Sequence, residues 1–228
     1  MNGKILLFLI LGLSFSLASP YLLVIDASGS MDEFIPPDYN ETKMEAAKRA
    51  ANNFVDRTSG EIGLVVFDEC DYSGDISSGG IRLLQDFTTD KSSLKGKINS
   101  LSPNWDTPIA DALEESKSYI ESTRGYGTII LITDGEETCG GDPVTAAGGI
   151  YGENVGKVHV IGYLIGGEAE ETAKEIASAG GGEYYSVESA DELEEALVQI
   201  SEDDLDVVCC SPAALLLLPF VGYFLRRR

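Results

Sequence analysis

The chain has 228 residues, 43% of them hydrophobic, enough for one well-buried domain of ordinary size with short appendages. Its 38 acidic side chains face only 16 basic ones, a formal charge of -22, which argues against a partner that offers nucleic-acid phosphates. Four cysteines without a Cys-x-x-Cys pair argue against a zinc cluster.

Taken in order, the chain opens with Lys4, an apolar run from Ile5 to Leu17 and the small-x-small triplet Ser16-Leu17-Ala18. This reads as a secretory signal over residues 1–18, with an uncleaved signal anchor or a buried first strand as the alternatives. Tyr21 to Ile25 is a continuous apolar run that predicts a strand buried on both faces, and it ends abruptly in Asp26-Ala27-Ser28-Gly29-Ser30. After a loop to Glu41, Thr42 and Glu45 form a capping box for a helix reaching about Arg57. Ile62 to Phe67 predicts a second buried strand, Ile81 to Phe87 an edge strand, and Lys91 to Leu101 a short helix capped by Asp90.

Thr107 is expected to cap the next helix, with Pro108 at its first position, where a missing N–H costs nothing. Thr128 to Thr133 is another buried strand, ending in Asp134-Gly135. A helix from Asp142 to Tyr151, a strand from Val158 to Ile165 and a helix from Ala169 to Ala179 follow. Glu183 to Val187 predicts a last short strand, and a helix with Leu193, Ala196, Leu197 and Ile200 inward closes the series at Ser201. Strand and helix alternate throughout, so the fold class is α/β: a doubly wound, mostly parallel sheet covered by helices on both faces. The expected domain covers 19–201, with an acidic stem and two cysteines over 202–211 and a hydrophobic anchor over 212–228.

In an open α/β sheet, ligands bind beyond the carboxyl ends of the strands, which places Asp26, Ser28 and Ser30 at a site. Their hard oxygen donors suit a hard cation. Three separated pieces, Asp26-x-Ser28-x-Ser30, Thr107-Pro108 opening a helix, and Asp134-Gly135 ending a strand, together resemble the von Willebrand factor type A domain with its metal-ion-dependent adhesion site. The resemblance runs from Tyr21 to Ser201. It implies one divalent ion, magnesium first and manganese or calcium as alternatives, held directly by Ser28, Ser30 and Thr107. Asp26 and Asp134 would hold it through water, and an open coordination position would take an acidic group of a partner. Trp105, beside the site, is expected to pack into its own loop, Asp106 to be a solvated loop acid, and His159, alone in a strand, to be a core residue.

The stretch Glu136-Glu137-Thr138-Cys139-Gly140-Gly141-Asp142-Pro143 resembles a secreted subgroup of the family and implies a disulfide between Cys70 and Cys139, with inert thiols as the alternative. At the end of the chain, Cys209-Cys210-Ser211-Pro212, an apolar run from Ala213 to Leu225 and Arg226 to Arg228 resemble the cysteine-proline sorting tails of prokaryotic surface proteins. Ser211 stands where the archaeal form of that pattern has glycine. The resemblance implies anchoring, with Cys209 and Cys210 as lipid-attachment or processing positions; the run spans about 20 Å as a helix, and a plain tail anchor is the alternative. The functional expectation is therefore an extracytoplasmic, membrane-anchored, non-enzymatic adhesion module that binds a carboxylate of a protein or glycan. Two alternatives stay open: a magnesium-dependent phosphohydrolase, although Ser28 stands where such enzymes carry a second aspartate, and an assembly or signalling factor in a membrane complex.

Overall fold

Tyr21–Asp26 form β1, and all six residues are buried, as a strand with sheet neighbours on both sides and helices on both faces must be. The computed structural model describes residues 19–37, 39–70, 76 and 79–209, the side chains of 202–209 excepted. Six strands lie in the order β3-β2-β1-β4-β5-β6, with β2 at Ile62–Phe67, β3 at Ile81–Thr88, β4 at Gly127–Thr133, β5 at Gly156–Tyr163 and β6 at Gly181–Val187. All neighbours are parallel except β2 and β3, and β3, at one end of the order, is the edge strand the sequence predicts. The mostly parallel, helix-covered sheet is thus the expected one.

Alternation along β1 divides the core in two. Tyr21, Leu23 and Ile25 pack with α1 (Lys43–Arg57), α2 (Lys91–Asn99) and α6 (Ala190–Cys209). Leu22 and Val24 pack with α3 (Ile109–Thr123), α4 (Pro143–Gly152) and α5 (Glu168–Ala179). The Thr42–Glu45 capping box of α1 is present in full, with Glu45 N–H donating to the Thr42 hydroxyl and Thr42 N–H to the Glu45 carboxylate.

Some boundaries differ. Thr107 does not cap α3: Pro108 occupies the cap position, without a side-chain cap, and the Thr107 N–H is directed to another loop. Asp142 caps α4 from outside instead of belonging to it. The backbone of α6 continues to Cys209, so most of the acidic stretch expected as a stem is helical. The signal segment, Cys210 and the anchor tail lie outside the described residues. Among the described residues, no helix is long and apolar enough to cross a membrane.

Candidate metal centre

The parallel register of β1 and β4, with Ile25 opposite Ile132, brings the two strand ends together, so that Asp26 meets Thr133 and Asp134. Asp26 has no solvent exposure. Its Oδ1 accepts from the Ser28 backbone N–H at 2.8 Å, and its Oδ2 from the Thr133 hydroxyl at 2.6 Å. A short 3-10 turn at Gly29–Asp32 then carries the chain across the strand end. It sets the Ser28 and Ser30 hydroxyls 3.1 Å apart, and Ser30 donates to Asp134 Oδ1 at 2.7 Å. The second oxygen of Asp134 accepts from Lys43 Nζ at 2.7 Å, and the same ammonium donates to Glu33 Oε2 at 2.8 Å.

The loop that leads to Thr107 is docked beside this cluster by backbone contacts. Asn104 N–H donates to the Ala27 carbonyl at 2.7 Å, while Trp105 and Asp106 N–H both donate to the Asp68 carbonyl. A Cβ on Gly29 would stand only 3.0 Å from the Asn104 carbonyl oxygen, so glycine lets the 3-10 turn lie against this loop. Thr107 itself is buried. Its N–H donates to the Thr138 hydroxyl at 2.7 Å, and its carbonyl accepts from Thr138 N–H at 3.1 Å. Glu137 accepts from Ala110 N–H, in the first turn of α3, at 2.9 Å, where a carboxylate also meets the positive end of the helix. Cys139, next in line, is bonded to Cys70, and this disulfide ties the loop after β4 to the loop after β2.

Burial, and then the charge of Asp134, push the Asp26 carboxyl up to about 7, against the hydrogen bonds from Thr133 and Ser28. Burial works against the charge on Lys43, but the hydrogen bonds and charges of Asp134 and Glu33 outweigh it and hold the ammonium above its ordinary range. All four oxygens of Asp26 and Asp134 accept a hydrogen bond from the protein. Each oxygen has two lone pairs, so one remains for a water. Among the described residues, no three acids, histidines or cysteines converge as a metal-binding group. The donor set is instead hydroxyls in front of two carboxylates, which fits a hard dication that keeps part of its water shell.

The structure therefore brings Asp26, Ser28, Ser30 and Asp134 into one hydrogen-bonded cluster and docks the Thr107 loop onto it. Trp105 does not pack into its loop: it is 77% exposed beside Gly29, while Asp106 is half-buried. His159 is buried, and its Nδ1 accepts from Glu183 N–H, pinning β6 to β5. Sequence reasoning missed Lys43, Thr133, Glu137 and Thr138. Only Lys43 left a signal, because a lysine in the first turn of a helix opposes the helix dipole and calls for an anionic partner.

Comparisons with known proteins agree with this architecture. The profile of the von Willebrand factor type A domain matches residues 21–137. The uncharacterized protein YwmD of Bacillus subtilis is 34% identical over 188 residues, covering 76% of this chain and 81% of the relative. The fold is shared with an aerotolerance-related membrane protein of Bacteroides fragilis, at a TM-score of 0.65 and 24% identity, covering 81% of this chain and 99% of that one. It is also shared with the vWF domain of the type V pili tip protein Mfa5 of Porphyromonas gingivalis, at a TM-score of 0.63 and 16% identity, covering 81% and 94%. On its β1 and β4 strand ends, its sheet order and these matches, the chain belongs to the von Willebrand factor type A domain family.

Proposed function

We propose that this chain is a surface-held binding module that uses one divalent cation, magnesium first, to grip a carboxylate of a protein or glycan partner. The observation that carries the reading is the hydrogen-bonded cluster of Asp26, Ser28, Ser30 and Asp134 at two adjacent strand ends. Ser28, Ser30 and Thr107 would supply neutral oxygens, and Asp26 and Asp134 would hold the waters of the ion. When bound, the cation offers a partner carboxylate an electrophilic coordination position. Neutral direct ligands leave that position more attractive to an anion than carboxylate ligands would. The similarity to a pilus tip protein supports an adhesive role. A non-enzymatic reading is favoured because Asp26 is enclosed and both its oxygens are engaged, unlike a carboxylate that attacks a phosphate.

A second reading, a component of a membrane complex, is favoured by the higher identity to the aerotolerance-related membrane protein, 24% against 16% for the pilus tip domain. The two share the metal centre and differ in the partner. Calorimetry with magnesium and with manganese, on the wild type and on Asp26→Ala, tests the centre. Heat of binding is expected for the wild type and none for the variant, with the fold retained in circular dichroism. Equal titrations for the two proteins would put the cation elsewhere and end the proposal.

A further inference from the structure

We propose that Lys43 is an internal counter-cation of the metal centre, which competes with the divalent ion for Asp134 and is released toward Glu33 when the ion binds. The inference rests on the metal reading above and adds a residue that sets its affinity. Lys43 Nζ lies 2.7 Å from Asp134 Oδ2 and 2.8 Å from Glu33 Oε2, so one ammonium is shared by two carboxylates of unlike setting. The Asp134 side chain is fully enclosed, whereas that of Glu33 is 66% exposed. The buried partner is therefore the one that gains most from a positive charge, because an unpaired buried carboxylate is costly.

A hydrated cation beside Asp134 would supply the same neutralisation with twice the charge. The ammonium then becomes redundant and repels the ion. Lysine can yield, because its charge sits on a flexible four-carbon stem with three rotatable donors. Glu33 lies at the right place to receive it: its carbonyl accepts the Lys43 backbone N–H at 2.9 Å, so the two residues stay paired whichever way the side chain points. This also accounts for a lysine in the first turn of α1, where the helix dipole disfavours it. The charges of Asp26, Asp134 and Lys43 leave the centre with less negative charge than its two carboxylates alone. The site then binds a dication more weakly but leaves the bound ion more attractive to an anionic partner.

The test removes the shared ammonium and, separately, its exposed carboxylate partner, since the two changes should act in opposite directions. Magnesium is titrated calorimetrically into the full chain as wild type, Lys43→Met and Glu33→Gln, with a thermal melt of each in chelator. Removing one positive charge close to the ion should lower the magnesium Kd of Lys43→Met by about tenfold or more. Removing the receiving carboxylate should raise the Kd of Glu33→Gln by about two- to threefold. A lysine that only supports the fold would give a lower melting temperature in Lys43→Met and no gain in affinity, and that result overturns the inference while leaving the metal reading standing. No magnesium heat in any of the three proteins overturns both. A silent wild type beside a Lys43→Met that binds supports the inference. Should Lys43→Met fold only with magnesium present, Glu33→Gln, altered at the surface, decides alone: an unchanged or lower Kd overturns the inference.

Discussion

On the proposed metal reading, Asp26 should carry opposite consequences for the protein with and without a cation. Its carboxyl is pushed up to about 7 by burial and by Asp134, against an ordinary value of 3.8. A raised carboxyl stabilises the fold fully below the unfolded value, and that stability is lost as pH rises through the folded one. In chelator, the domain should therefore melt at a higher temperature at pH 5 than at pH 8, with roughly 3 kcal/mol as the upper figure for the difference, since about two pH units of the shift lie inside that window. Asp26→Asn should remove most of this dependence and raise the melting temperature in chelator at pH 8 by several degrees. An asparagine can keep both contacts: its carbonyl accepts from Ser28 N–H, and its amide donates to Thr133, whose hydroxyl has the Gly135 carbonyl at 3.5 Å as an alternative acceptor. Magnesium should act with the opposite sign, binding more tightly as pH rises through 7, because the proton and the cation compete for Asp26. At this scale, Asp26, Ser28, Ser30 and Asp134 were legible because a polar residue ending a fully buried strand must face a site. Lys43 and Thr138 were not, since their partners Asp134 and Thr107 lie 91 and 31 residues away.

At the scale of elements, the loop from Glu137 to Gly141 acts on the cluster without belonging to it. It clasps the Thr107 backbone through Thr138, meets the first turn of α3 through Glu137, and packs Gly141 so close to Ala110 that a Cβ there would come within 2.4 Å of the Ala110 methyl. Thr138→Val keeps the shape and removes the acceptor of Thr107 N–H. It should cost about 1 kcal/mol in denaturant unfolding and weaken magnesium binding several-fold in calorimetry, through loss of Thr107 positioning. The same clasp explains why Thr107 looked like a helix cap. A threonine before a proline at a helix start has the sequence of a cap, but the backbone bonds that fix it come from another strand's loop, and no local pattern records them. Elements set by local patterns were readable: the capping box of α1 and the edge position of β3 followed from short stretches. The extent of α6 did not, because acidic, weakly apolar residues after Ile200 gave no inward stripe to extend.

For the whole molecule, the -22 charge and the two-sided sheet describe an acidic body with its candidate contact surface at the carboxyl ends of the central strands β1 and β4. The disulfide has a mechanical meaning for such a body when it is pulled. Cys70 and Cys139 are 69 residues apart, and the enclosed segment includes β3, α2, α3 and β4, with Thr107 and Asp134 among its residues. A load carried between the chain termini would pass across the covalent bridge and bypass that segment, so the Thr107 loop would sit outside the path of force while β1 bears it. In single-molecule stretching, the oxidised protein should extend by about 240 Å less than the reduced one, the contour of the bridged residues at about 3.5 Å each. An equal extension with and without reductant would show that the bridge carries no load. Thr107 and Asp134, the two members of the candidate centre inside the bridge, are thus tethered in a closed loop that tension cannot draw out while the bridge holds, a property suited to a contact that has to survive pulling.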